Sequence, residues 1–365
     1  MKPPASAPVL HFRSLPRTLA RTGAALLAAL VVVLAVAPGP ADAQRRAKRP
    51  PAATTAPAIG YADRPEVGAF VAEMVERHGF IETELRDMFA QVRRNDDAVR
   101  LMSPAPSGFK RSWQAYRSRF LDGLRIREGL RFWREHEPWL ELAAQRFGVP
   151  PEIVVAIIGV ETLYGRNTGD FRVLDVLTTL AFDYPRRADY FRSELEHYLL
   201  YSRESNLDVF AVRGSFAGAI GLPQFMPGSI RRFAVDLDGD GEIDLRSNPA
   251  DAIGSVASFL AEHGWRTGEA VRFEMLFDSE SRLAPLVEAG IRPRFTIGEL
   301  AEYGVASAEP VAVEMPLALI DLPNGEDAPS YYLGAQNFFT ITRYNRSSFY
   351  AMAVYELARA LAALR

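Results

Sequence analysis

The chain has 365 residues, 48% hydrophobic and 24% charged, with a formal net charge of -3. This is ordinary globular composition, which excludes a disordered or fibrous protein, and it lacks the cationic field that sequence-independent nucleic-acid binding requires. Cysteine is absent, which excludes disulfides, thiolate metal sites, cysteine nucleophiles and a thioether lipid anchor.

Residues 1–43 have the layout of a cleavable signal peptide. Lys2, Arg13, Arg17 and Arg21 precede an apolar run over 23–37, and Ala41-Asp42-Ala43 supplies a small-x-small cleavage pattern. The run is too short for the ~20 residues that span a bilayer, so the expected product begins at Gln44 and is released into the periplasm of a two-membrane cell. Residues 44–65, rich in Pro, Ala, Thr and Arg, read as a flexible linker. Apolar periodicity then predicts packed amphipathic helices over 66–269. Within them Pro150-Pro151-Glu152 marks a helix start, and the apolar stretch that follows should stop near Gly165. A glycine-rich passage (214–221) and an aspartate cluster (236–244) interrupt the pattern. Residues 270–342 change character, with β-branched runs such as VAVEMPLALIDL and NFFTITRY around the turn signal Pro323-Asn324-Gly325, and read as a small β-rich domain. Residues 343–365 carry a final helix suited to pack back on the helical core. The fold class is α+β, mainly α, with a small antiparallel β domain inserted before the C-terminal helix.

Glu161 is the strongest candidate for catalysis. Ile157 and Ile158 lie four and three residues earlier, so its carboxyl leaves the apolar side of the helix near the carboxyl-terminal end. Desolvation and the helix dipole both disfavour the anion there. A carboxyl still protonated near neutrality is what glycosidic-bond cleavage requires.

Four stretches resemble the lytic murein transglycosylase B family: VPPEIVVAIIGVETLYG (149–165), LTTLAFDYPRRADYF (177–191), GSFAGAIGLPQFMPGS (214–229) with DLDGDGEIDL (236–245) and DAIGSVASF (251–259), and NFFTITRYNRSSFYAMAV (337–354). SWQAYRSRF (112–120) matches more weakly. The resemblance implies a lysozyme-like helical core and a peptidoglycan-cleaving enzyme with Glu161 as its single acid/base. It places Ser215, Gln224 and Asn337 in the cleft near the scissile bond. Tyr116, Tyr190 and Tyr344 are implied to hold sugars, and Arg186 with Arg187 to bind substrate. Phe259 departs from the family in lacking a phenol, which implies one sugar hydrogen bond fewer, and Leu222-Pro223 stiffens the turn before Gln224.

By the family's chemistry the bond between N-acetylmuramic acid and N-acetylglucosamine is cut without water, leaving a 1,6-anhydro end. A hydrolytic muramidase with Asp170 as second carboxylate and a non-catalytic peptidoglycan-binding scaffold remain as alternatives. Glycan strands are the implied partner, with cell-wall synthesis enzymes as a further class and nucleic acid excluded. No cofactor is required for the chemistry. Asp236, Asp238, Asp240 and Gly241 fit the first half of a calcium loop. Position twelve is Ser247, so Asp251 would have to complete a longer loop, and Glu242 lies between; these acids are the candidate ligands of a structural calcium ion.

Overall fold

The computed structural model describes residues 60–104, 108 and 110–365. The expected signal peptide and residues 44–59 of the expected linker lie outside them. The last part of that linker is not a tether. Tyr61 is buried in a short 3-10 turn, its hydroxyl donates to Asp183 Oδ2 at 2.6 Å, and Arg64 pairs with the same carboxylate at 2.7 Å. One aromatic anchor and one ion pair thus override a disorder-prone composition.

The helical part runs α1 (Pro65–His78), α2 (Glu82–Ala90), α3 (Asp96–Met102), α4 (Trp113–Arg117), α5 (Gly123–Glu135), α6 (Glu137–Phe147), α7 (Pro151–Thr162), α8 (Val173–Asp183), α9 (Ala188–Glu204), α10 (Pro227–Phe233) and α11 (Pro249–Glu262). The chain then enters a sheet layer with β3 (Arg272–Phe277), α12 (Ala284–Glu288), α13 (Ile297–Ala301), β4 (Val305–Ser307), β5 (Ala318–Asn324) and β6 (Asp327–Gly334). It returns through α14 (Gln336–Tyr344) and α15 (Ser348–Ala363). The four strands form an antiparallel sheet in the order β4-β3-β6-β5, and β5 and β6 close a tight hairpin at Gly325, whose φ is 72°. A separate two-residue ladder, β1 (Phe171–Arg172) with β2 (Arg213–Gly214), sits among the helices.

The centre of the fold is α7. Every residue from Ile153 to Val160 is buried, as expected of a helix apolar on all sides. Each large aliphatic side chain there contributes about 1.5–3 kcal/mol of burial. Pro150 in extended conformation and Pro151 at the first helical position start it. α5, α6, α11 and α15 pack around it, so the last helix of the chain lies against the first half of the candidate site.

The run NFFTITRY is helical, which corrects the expectation that the β-rich part reaches residue 342. Asn337, Phe338, Thr340 and Ile341 are buried, a helical spacing that packs on α11 and α15. The Thr, Ile and Phe content favours strands in general, but tertiary packing decides here.

Candidate active site

The helix that carries Glu161 ends three residues before Gly165. Leu163 N–H reaches Gly159 O at 3.1 Å and Tyr164 N–H reaches Ile158 O at 3.4 Å, while Leu163 and Tyr164 take left-handed φ values of 50° and 58°. Such caps are usually glycine. What holds two larger residues there is the Tyr164 ring, seated in a slot that only glycine permits: a Cβ at Gly129 or Gly159 would lie 2.3 or 2.4 Å from its hydroxyl oxygen. Thr162, beside Glu161, donates to Leu222 O at 2.9 Å and accepts Gly165 N–H at 3.0 Å. The end of α7 is thereby tied to the glycine-rich passage.

That passage forms the opposite wall. Ser215 Oγ accepts the backbone N–H groups of Ala217 (3.3 Å) and Ala219 (3.0 Å), which leaves its own proton to offer to a ligand. Gln224 has a left-handed φ of 50°, and its amide donates to Thr168 O (3.0 Å) and Gly221 O (2.9 Å). The stiff Leu222-Pro223 pair therefore fixes Gln224 in place: Leu222 O is held by Thr162, and Pro223 O accepts the Tyr344 hydroxyl at 2.5 Å.

Between these walls lies a cleft of about 330 Å³ lined by Glu161, Tyr116, Ser215, Gln224, Tyr344 and Tyr350, with Asp170 and Asn345 also in its lining. Glu161 is half-buried at its floor. Burial pushes its carboxyl up to about 7, opposed by the Tyr350 hydroxyl, which donates to Oε1 at 2.6 Å. Oε2 accepts no hydrogen bond from a protein donor among the described residues. Burial and then the Glu161 charge push the phenols of Tyr116, Tyr344 and Tyr350 upward. All three stay protonated around the one carboxyl. Tyr344 and Tyr350 lie nearly parallel, 13° apart with ring centroids at 6.3 Å, while Tyr116 is braced edge-on by Phe349 at 5.5 Å. Their rings and hydroxyls suit sugar faces and sugar hydroxyls.

The sequence-derived set divides on this geometry. Glu161, Tyr116, Ser215, Gln224 and Tyr344 share the cleft. Arg186, Arg187 and Tyr190 do not line it. They occupy a 3-10 turn and the first turn of α9, where the Arg187 guanidinium lies 4.3 Å over the Tyr190 ring. Arg187 lies within electrostatic reach of Arg346, which follows the cleft residue Asn345: burial, then Arg343 and Arg187, lower the proton affinity of the Arg346 guanidinium. Asn337 is fully buried away from the cleft. Its Oδ1 accepts Arg266 N–H at 2.7 Å, and its Nδ2 donates to the carbonyls of Arg266 (2.8 Å) and Glu269 (2.9 Å), so it clasps the chain after α11 and has no group left for sugar. Phe259 stands behind Tyr344, edge-on at 4.9 Å and stacked on His263, outside the cleft lining; its missing hydroxyl takes nothing from the wall. Tyr350 and Asn345 are among the cleft residues that sequence reasoning missed, as are Arg166, Asn167 and Thr168 just after α7. For Tyr350 the signal was a phenol between Phe349 and Ala351 in the first turn of a helix capped by Ser347, since a buried phenol requires a partner.

Of the candidate metal ligands, Asp236, Asp238 and Asp251 converge, with one oxygen of each within 4.8 Å of the others. Calcium–oxygen distances of ~2.3–2.6 Å put two ligands of one ion at most about twice that apart, so the trio fits a shared cation. Asp251 is fully buried, and burial raises its pKa despite N–H donors from Asp244 (2.8 Å) and Leu237 (3.0 Å), with the Asp238 and Asp236 charges adding to the rise. A divalent ion would relieve that crowding. Asp240 and Glu242 fall outside the group: both are exposed, and Asp240 Oδ1 accepts Glu242 N–H at 2.8 Å. Alternate spacing alone therefore does not bring Asp240 and Glu242 into the cluster that Asp236, Asp238 and Asp251 form.

The transglycosylase SLT domain matches residues 62–359. Over 313 residues, 84% of this chain and 85% of the relative, the sequence is 42% identical to membrane-bound lytic murein transglycosylase B of Escherichia coli K12. The soluble lytic transglycosylase SltB1 of Pseudomonas aeruginosa superposes with a TM-score of 0.76 at 45% identity, covering 82% of this chain and 99% of that one. SltB3 of the same organism, solved with NAG-NAM-pentapeptide and with NAG-anhNAM-pentapeptide, gives TM-scores of 0.70 and 0.71 at 30% identity, covering 81% of this chain and 79% of that one. A mainly helical fold with Glu161 at the floor of its cleft, a domain match over residues 62–359 and 42% identity over 84% of the chain make this protein a member of the lytic murein transglycosylase B family.

Proposed function

We propose that Glu161 alone performs both proton transfers of a non-hydrolytic cleavage of peptidoglycan. Protonated Glu161 gives its proton to the glycosidic oxygen, the bond from C1 of N-acetylmuramic acid to that oxygen breaks, and the 2-acetamido oxygen supports the electron-poor C1. The Glu161 carboxylate then takes the proton of the 6-hydroxyl, O6 bonds to C1, and the acid is regenerated with no water consumed. The observation that carries this reading is a single carboxyl, held near a pKa of 7 and bonded to Tyr350, on the floor of an aromatic cleft. It matches what one group must do twice, first as acid and then as base. Complexes of SltB3 with both NAG-NAM and NAG-anhNAM peptides support the anhydro product for this chain.

Asp170 lines the same cleft but is exposed, and it keeps the hydrolytic reading available as the competitor. Product analysis separates the two. Digested strands should yield muropeptides lacking a reducing end, one water lighter than hydrolytic products. Glu161→Gln should abolish turnover while Asp170→Asn costs much less. Reducible muramic acid ends as the main product would establish the hydrolase.

The envelope is where a murein-cleaving enzyme meets its polymer. We infer that residues 1–43 direct secretion and that the chain beginning at Gln44 is periplasmic, which mass spectrometry of cell fractions checks; recovery only of full-length protein in membranes would overturn it. The convergent Asp236, Asp238 and Asp251 support a structural calcium ion that pins the loop ahead of α11 and takes no part in the chemistry.

A further inference from the structure

A second cavity, of about 370 Å³, lies on the other side of the segment that forms one wall of the active-site cleft. Tyr116 and Phe120 face the cleft, while Arg117 and Leu121, each one residue later, line the second cavity. Its remaining walls come from β3, α15 and Glu309 just after β4, so it sits at the joint between the sheet layer and the helical core. Both signs of charge meet there in equal number: Arg117, Arg272 and Arg359 against Glu274, Glu309 and Glu356. Arg117 pairs with Glu356, and Arg272 bonds to Glu274 at 2.5 Å. Arg359 and Glu309, both exposed, form no ion pair among the described residues. Arg272 is also sandwiched by rings, its guanidinium 4.3 Å over Tyr332 and 5.3 Å over Tyr355, and its Nε–H is buried without an acceptor.

We propose that this cavity is a subsite for the peptide stem of the substrate, taking a short peptide that carries both a carboxylate and an ammonium group. The inference rests on the peptidoglycan-cleaving reading given above. With Arg117–Glu356 and Arg272–Glu274 already paired, a simple anion would leave Glu309 unanswered and a metal ion Arg359, whereas a zwitterionic peptide answers both. Arg359 and the under-satisfied Arg272 face its carboxylate, a match guanidinium makes well, and Glu309 faces its ammonium. The volume is at the small end of the ~300–1,000 Å³ of ligand sites, room for part of a stem. Five extended residues span at most about 17 Å, more than the ~10 Å width of a helix.

The test uses full-length protein carrying Glu161→Gln, so that ligands are bound and not cleaved. Calorimetry compares NAG-NAM-pentapeptide with NAG-NAM lacking the peptide. The peptide-bearing ligand should bind about tenfold more tightly. Arg359→Glu and Glu309→Lys, at exposed positions whose substitution leaves folding intact, should each bring that ratio close to one. A ratio near one in the parent, or a preference that survives both charge reversals, overturns the subsite while leaving the glycan reading in place. Failure to bind either ligand overturns the glycan reading and the subsite with it.

Discussion

Glu161→Gln should make the protein more stable above neutral pH, and by an amount the site itself determines. Burial holds this carboxyl at a pKa of about 7 against an ordinary 4.5; that difference of about 2.5 is worth roughly 3.4 kcal/mol at 1.36 kcal/mol per pKa unit. Because the group opens onto the cleft and solvent reaches it, the expected effect is closer to about 2 kcal/mol. The sign follows from proton counting. Between about pH 4.5 and 7 the folded protein keeps a proton that the unfolded chain has released, so stability falls as pH rises, and the penalty is complete above about pH 7. Glutamine has the same shape, accepts the Tyr350 hydrogen bond and does not titrate. The two proteins should therefore melt together near pH 4 and diverge through neutrality, the variant gaining about 4 °C by pH 8. Burial also pushes Glu194 up to about 7, but it is present in both proteins and cancels in the difference. Paired thermal melts across this range give the curve, and the alkaline limb of kcat/KM in the parent should fall at the same pH. A pH-independent difference, or a variant less stable than the parent at pH 8, would refute the claim that burial poises this carboxyl as an acid.

Added calcium should raise the melting temperature in proportion to the logarithm of its excess over Kd, and Asp238→Ala should abolish the rise. Asp251→Ala should cost about 2–4 kcal/mol even without calcium, because its buried carboxylate holds two backbone N–H groups; identical melting with calcium and with chelator would dismiss the metal. Asn337→Ala should destabilise by about 2–4 kcal/mol, from three buried hydrogen bonds, with KM for glycan unaltered; a raised KM at full stability would return Asn337 to sugar binding. Tyr350→Phe removes the one donor to Glu161, so the alkaline limb should move up by as much as about one pH unit and kcat fall about tenfold. An unmoved limb in that variant would show that the hydrogen bond has no bearing on the acid.

The mainly helical fold, its inserted antiparallel sheet and five of the cleft residues were legible because each rests on a contiguous segment with strong periodicity or a strong family match. The failures cluster where a residue's role depends on where an element begins. Read as a strand, NFFTITRY hides α14, and with it the fact that Asn337 enters the buried start of a helix while Asn345, just past its end, reaches the cleft. Tyr350 lies in the final helix as read, but its place at Glu161 depends on how α15 packs against α7, which helical period alone does not show. Local rules fail in a second, more informative way. Of the four non-glycine residues with left-handed φ among the described residues, Leu163 and Tyr164 lie two and three residues after Glu161 and Gln224 lines the cleft. A sequence rule places glycine at such positions and so extends α7 to Gly165. Each exception costs about 1–3 kcal/mol of backbone strain, and each is held by a specific contact: the Tyr164 ring in its double-glycine slot, the Thr162 bond to Leu222, the Gln224 amide on Thr168 and Gly221. Ending α7 early lets the chain turn away right after the acid, and the bonds that stabilise this turn also join the two walls of the cleft. The strain is therefore located where Glu161 and Gln224 must be held against one another, which is where a departure from local preference has a functional reason to persist.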